Sequence, residues 1–230
     1  MILHSHHGAK YSLRYCAAGR AFNAFARAVL TIGLFLFAVA AEAGERPVVL
    51  ALGDSLTAGY GLPPGKAFPA QLQAALGAHG VDVKVINGGV SGDTSAGGLA
   101  RLDWLLNEQP DLVIVELGAN DGLRGLDPAV TRDNLDRIIA RVREAGARVL
   151  LTGMLAPPNL GADFGESFNA IYPDLAQRHG TAFYPFFLEG VAMDPALNQE
   201  DGIHPTAEGV AVIVGKLLPA VLDGLAEAVK

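Results

Sequence analysis

The sequence predicts an α/β domain, a three-layer α/β/α sandwich around a five-stranded parallel sheet. Three observations carry that prediction: five short runs rich in β-branched residues and Leu, amphipathic stretches between them, and a polar, Gly-rich segment after each run. Strands that alternate with helices are joined by right-handed crossovers, and the crossovers cover both faces of a parallel sheet.

The runs are "VVLAL" from Val48, "VKVIN" from Val83, "LVIVEL" from Leu112, "RVLLTG" from Arg148 and "TAFYPF" from Thr181. Between and after them, Phe68 to Leu76, Leu99 to Asn107, Pro128 to Glu144, Ser167 to His179 and Thr206 to Val229 space apolar residues three or four apart, as a helix with one buried face requires. The third of these stretches opens with Asp127 as N-cap and Pro128 at the first helical position. In an open parallel sheet, ligands gather beyond the carboxyl ends of the strands. The segments that fall there are "GDSL", "GGVSGDTS", "GANDG", "GMLAPPNLGADFG" and, after the fifth run, the approach to "DGIHP". No internal repeat, linker or low-complexity tract interrupts the pattern.

Residues 1–43 read as a leader and not as part of the fold. Lys10, Arg14, Arg20 and Arg27 precede the apolar run "AVLTIGLFLFAVAA", which ends in Ala41-Glu42-Ala43. The run is short for a hydrocarbon core of about 30 Å, and Ala-x-Ala is a small-residue cleavage pattern. A cleaved signal peptide is expected, with a retained anchor as the alternative, and residues 44–230 form a single domain in a periplasmic or secreted protein. Cleavage removes four of the 17 Lys and Arg and one of the 24 Asp and Glu, leaving 13 against 23 and a net charge of −10. An acidic chain argues against nucleic acid as a partner. The single cysteine, Cys16, leaves with the leader, so stability comes from packing and not from a disulfide.

Ser55, in "LGDSLTAGYG", is either a turn residue or a nucleophile, since Gly, Asp and Ser together are ordinary turn chemistry. A serine nucleophile needs a base, and His suits the task. Three histidines follow the leader. His79 in "GAHG" and His179 in "QRHG" close amphipathic stretches just before a Gly, as expected of surface residues near a helix C-terminus. His204 stands in "DGIHP", three residues after Asp201. With Gly202 permitting a tight bend, the Asp201 carboxylate reaches Nδ1 and leaves Nε2 free for a hydroxyl. Asp201 as a helix cap beside a solvated His204 is the plainer reading of the same motif. Acyl transfer also requires donors for an oxyanion. The N–H groups of Gly92 and Ser55 and the side-chain amide of Asn120 are the candidates, each from the carboxyl end of a run.

With these residues in this order, the chain resembles the SGNH (GDSL-type) hydrolase family, in particular its exported bacterial thioesterase, lysophospholipase and arylesterase group. The similarity runs from "LGDSLTAGYG" through "SGDTSAGGLARL" and "VELGANDGLRG" to "IYPDLA", "PFFLEGV" and "DGIHP". It implies a flavodoxin-like sandwich with Ser55 as nucleophile, Gly92 and Asn120 as oxyanion donors beside the Ser55 N–H, and Asp201 and His204 completing a triad. The α/β-hydrolase pattern G-x-S-x-G is not met by Gly53-Asp54-Ser55-Leu56-Thr57.

The expected activity is hydrolysis of carboxylic esters and thioesters (acyl chains, aryl esters, lysophospholipids) through an acyl-enzyme, by a monomer without cofactor or metal. The alternatives are a carbohydrate O-acetylesterase and a non-catalytic binding module of the same fold. Leu123 and Leu126 in "DGLRGLD", and Met154, Leu155, Pro157, Leu160 and Phe164 in the longest loop, either line an acyl groove or pack the loops on themselves.

Overall fold

The computed structural model describes residues 46–228, so the leader and Val229 lie outside the described residues. In chain order the elements are β1 (Val48–Gly53), α1 (Ser55–Ala58), α2 (Phe68–Ala78), β2 (Lys84–Gly89), α3 (Ser95–Leu106), β3 (Leu112–Glu116), α4 (Ala119–Leu123), α5 (Pro128–Glu144), β4 (Arg148–Thr152), α6 (Ala162–Asn169), α7 (Ile171–His179), β5 (Ala182–Tyr184) and α8 (Ala207–Ala228). Every expected strand is present. All five pair in parallel in the order β2-β1-β3-β4-β5.

The first crossover runs from β1 to β2 and the next three run the other way, so right-handed connection divides the helices between the faces. Helices α2 and α8 pack together on one face, and α3, α5 and α7 on the other. Strands covered on both faces read as near-continuous apolar runs. Accordingly Val49, Leu50 and Leu52 of β1, Val113, Ile114 and Val115 of β3, and Leu150 and Leu151 of β4 are buried. The α5 stripe of Leu135, Ile138, Ile139 and Val142 meets the sheet from one side, and the α8 stripe of Val210, Ile213, Leu217, Val221 and Leu225 from the other. Helix α8 is long and apolar enough to cross a membrane, but this stripe is buried against α2 and the sheet, as in a core helix.

Two differences from the expected elements matter. The stretch Ser167–His179 is not one helix: α6 ends at Asn169 and α7 starts at Ile171. Pro173 has no N–H to return to the Asn169 carbonyl, and its ring crowds that carbonyl, so the helix is interrupted one turn earlier. The Asn169 side chain instead accepts the Ala156 N–H at 2.8 Å, tying the break to the loop after β4. The second difference is that short helices, α1 and α4, start directly after β1 and β3, where only loops were expected.

The Asp127 cap forms as expected, its carboxylate accepting the Ala129 N–H at 2.9 Å. Truncating the sheet core should dominate stability. Leu50→Ala is expected to cost about 2–5 kcal/mol in urea unfolding. Trp104→Ala, at a side chain 74% exposed on α3, should change stability by about 0.5 kcal/mol or less.

Candidate active site

The connections after β1 and β3 leave in opposite directions, so the crevice between those adjacent strand ends is the sheet's topological switch point. Ser55 follows β1 there and Asn120 follows β3. Ser55 is the first residue of α1. Asp54 caps that helix, Oδ1 accepting the Leu56 N–H at 3.0 Å. Glu116, the last residue of β3, lies under the same turn: its Oε2 accepts the Asp54 N–H at 3.3 Å and the Thr57 hydroxyl at 2.7 Å. A Cβ on Gly53 would collide with both the Thr57 hydroxyl and the Glu116 carboxyl, so glycine alone lets them close over the strand end.

Asp54 and Glu116 are both fully buried. Burial, reinforced by the neighbouring Asp54 charge, pushes the Glu116 carboxyl well above the usual carboxylate range. Its Oε1 has no hydrogen-bond partner among the described residues, which suits a neutral acid far better than an ionised one. Burial also raises Asp54, to about 6, against the opposing Leu56 N–H, the Asn120 amide and the charge of His204.

His204 comes from the loop before α8 and closes on Ser55 across 149 residues of chain, Nε2 lying 2.9 Å from Ser55 Oγ. Its Nδ1 is 2.6 Å from Asp201 Oδ2. The other Asp201 oxygen accepts the N–H groups of Ile203 at 2.9 Å and His204 at 3.0 Å. The His204 N–H, its ring and the Ile203 N–H hold the Asp201 carboxyl down at about 2. Gln199, which sequence reasoning missed, stitches this loop to the Ser55 turn. Its N–H donates to the His204 carbonyl at 2.7 Å, and its Nε2 donates to the carbonyls of Tyr60 at 2.8 Å and Pro205 at 3.0 Å.

The N–H groups of Ser55 and Gly92 make no hydrogen bond among the described residues. Gly92 is left-handed at φ +85°. The Asn120 amide is more constrained than a turn residue facing an open cleft: Nδ2 donates to Asp54 Oδ2 at 3.0 Å and to the Asp93 carbonyl at 2.9 Å. Arg101, also missed, fixes that neighbourhood. Its guanidinium binds Asp93 Oδ2 at 2.7 Å, the Gly88 carbonyl at 2.6 Å and the Gly53 carbonyl at 2.9 Å, joining the ends of β1 and β2 to the Gly92 loop. Nothing in the spacing of "GGLARL" marks Arg101. Glu116 did carry a signal, as a lone acid in an apolar run.

Of the expected groove residues, Leu123, Leu126 and Leu155 are exposed. Pro157, Leu160 and Phe164 are half-buried, with Pro157 close to Gly122, Leu160 close to Gly125, and Phe164 stacked on Phe168. Met154 corrects the expectation. It is 3% exposed and packs in the hydrophobic core, because it lies two residues past β4, where the Gly153 N–H still donates to the Tyr184 carbonyl of β5 at 2.8 Å and keeps the chain in the sheet layer. His79 caps α2 through Nδ1 and the Ala75 carbonyl at 2.9 Å. His179 is more than a surface cap: it is half-buried and its Nε2 meets Asp136 Oδ1 at 2.6 Å. Among the described residues no group of three or more His, Cys, Asp or Glu is placed to hold a metal.

A model of the GDSL-like Lipase/Acylhydrolase family matches residues 51–212. The chain belongs to this family. It is 47% identical over 175 residues to the arylesterase of Vibrio mimicus, an alignment covering 76% of this chain and 86% of the relative. It is 43% identical over 176 residues to thioesterase 1/protease 1/lysophospholipase L1 of Escherichia coli K12, covering 76% and 83%. The crystal structure of AlinE4, an SGNH-hydrolase family esterase, superposes with a TM-score of 0.67 at 50% identity over 79% of this chain and 98% of that one. The three-layer sandwich expected from the sequence is therefore the fold of this family.

The buried acids set a pH dependence of stability. Asp54 and Glu116 hold protons more tightly folded than unfolded, so their contribution is full below the ordinary carboxylate range; that of Asp54 is lost as pH rises through about 6, and that of Glu116 as pH rises through its own raised range. Asp201 acts oppositely and lower, its contribution being lost only as pH falls through about 2. Glu116→Gln removes one of these acids and its proton linkage. The stability of Glu116→Gln relative to wild type should therefore increase between about pH 5 and about pH 7.5 in urea unfolding. A difference independent of pH would contradict the assignment.

Proposed function

We propose that the chain is a serine hydrolase that cleaves carboxylic esters and thioesters through an acyl-enzyme on Ser55. The observation that carries the reading is the single file of atoms from Asp201 Oδ2 through the two His204 nitrogens to Ser55 Oγ, at 2.6 and 2.9 Å. Such a chain has a use in proton transfer and none in a binding module.

In this reading Ser55 Oγ attacks the substrate carbonyl while its proton passes to His204 Nε2. Asp201, ionised throughout the working range, fixes the tautomer and offsets the imidazolium charge. The carbonyl π electrons move to oxygen, and the oxyanion is met by the N–H groups of Ser55 and Gly92 and by the Asn120 amide. Asn120 keeps one amide hydrogen on Asp54 and turns the other from the Asp93 carbonyl to the oxyanion. Collapse of the tetrahedral intermediate breaks the bond to the alcohol or thiol, which leaves with the proton from His204. Water then attacks the acyl-enzyme with His204 again as base, releasing the acid and free Ser55.

Exposed Leu123 and Leu155, 52% and 53% accessible, at the end of α4 after β3 and on the loop after β4, support acyl groups as the substrate class. The named activities of the arylesterase and of the thioesterase and lysophospholipase relatives point the same way. Medium to long acyl chains on aryl, thiol or lysophospholipid leaving groups are the proposed substrates. The basic leader, its apolar run and Ala41-Glu42-Ala43 support export to the periplasm or medium.

A panel of p-nitrophenyl esters from acetate to palmitate, with an acyl-CoA, a lysophospholipid and an acetylated sugar, tests the substrate class. Turnover should rise from acetate into the medium chains, and Ser55→Ala should lower kcat by about a thousandfold or more without loss of fold. Turnover confined to the acetylated sugar would reject the acyl-chain reading. A Ser55→Ala variant with near-normal kcat would reject the nucleophile.

A further inference from the structure

We infer that Tyr60 is a positioning residue for the base: its ring braces the His204 imidazole against Ser55 and stabilises the imidazolium that forms as Ser55 is deprotonated. This rests on the roles proposed above for Ser55 and His204. The Tyr60 and His204 ring centroids are 4.4 Å apart with an interplanar angle of 34°. Both edges of the imidazole are taken, Nδ1 by Asp201 and Nε2 by Ser55, so its faces are what remain to be held. Tyr60 covers one of them.

The side chain is 52% exposed, so burial does not hold the ring in place. Its backbone does. The Tyr60 N–H donates to the Ser55 carbonyl at 3.1 Å, and the Tyr60 carbonyl accepts Gln199 Nε2 at 2.8 Å. Gly59 and Gly61 flank it at φ +82° and +73°, turning the chain back over the His204 loop. Gln199 also holds the His204 carbonyl through its own N–H. Tyr60 is thus fixed to the segment that carries the nucleophile and to the segment that carries the base, with its ring on the junction.

The charged groups that bear on the imidazole are Asp201 at Nδ1 and the buried Asp54 behind Ser55. An aromatic face adds the third favourable element, since the negative face of the ring attracts a cation far more than a neutral heterocycle. The imidazole is neutral in the Michaelis complex and positive in the transition state, so the contact strengthens as the reaction proceeds. An interaction of that kind raises kcat and leaves KM nearly alone.

The test compares Tyr60→Leu and Tyr60→Phe with wild type and Ser55→Ala on p-nitrophenyl butyrate, together with the rate at which an ethyl phosphonate ester inactivates Ser55. Tyr60→Leu should lower kcat about 3- to 30-fold with KM within about twofold, and the phosphonylation rate should fall in parallel. Tyr60→Phe, which keeps the face and loses the hydroxyl, should recover at least about half of kcat. The inference is overturned if Tyr60→Leu raises KM at unchanged kcat, which would make Tyr60 a substrate contact, or if it matches wild type. It is also overturned if Tyr60→Phe is as slow as Tyr60→Leu, which would transfer the role to the hydroxyl. Hydrolysis that survives in Ser55→Ala would overturn the triad reading itself, and this inference with it.

Discussion

The site depends on the tie between the ends of β1 and β3. Parallel register sets Gly53 opposite Glu116, and the buried Glu116 carboxyl then holds both the Asp54 N–H and the Thr57 hydroxyl. That acid replaces, under the Ser55 turn, the sheet bonds a strand end would otherwise lack. From the turn Asp54 reaches back to the Asn120 amide on the β3 side. The proposed nucleophile and the proposed oxyanion donor therefore share one hydrogen-bonded unit. The unit is costly because it buries two carboxyl groups a few atoms apart, and it is tolerable because one of them stays protonated.

Against that fixed half of the site, the Asp201 and His204 half arrives ready-made. The two residues are three apart, and Asp201 binds both the backbone and the ring of His204, so their mutual geometry is set within one short loop. A single long-range junction is then left to position, the one between His204 and Ser55. Gln199 and Tyr60 both act at that junction, the first by hydrogen bonds and the second by its ring. A division into two locally rigid halves limits the ordering entropy that a four-loop site would otherwise demand at the moment of reaction.

What the sequence made legible follows this division. The strands were readable because buried parallel strands are nearly continuous in apolar residues, and the Asp201 and His204 pairing was readable because it is local. Glu116 stood within "LVIVEL" as a lone acid, but a strand-end carboxyl gives no sign of facing the next strand's turn until register is known. Asn120 follows β3, as the order of runs in the sequence implies, yet its bonds to Asp54 and Asp93 join segments 66 and 27 residues away and leave no local trace. The interruption before Pro173 did have a local cause in the missing N–H, and apolar periodicity simply runs through it. Met154 shows the opposite failure: an apolar residue in a loop reads alike whether it faces substrate or core.

In the proposed mechanism one crevice presents Ser55, His204 and three oxyanion donors to the same carbonyl. The most direct measurement is a crystal structure of the protein after inactivation with an ethyl phosphonate ester, whose tetrahedral phosphorus mimics the intermediate. Phosphorus should be bonded to Ser55 Oγ, with the phosphoryl oxygen about 2.7–3.1 Å from the Ser55 and Gly92 nitrogens and from Asn120 Nδ2. Asn120 should keep its bond to Asp54 and have released the Asp93 carbonyl. An adduct whose phosphoryl oxygen points to solvent, with Asn120 still bound to both Asp54 and Asp93, would rule out this oxyanion site.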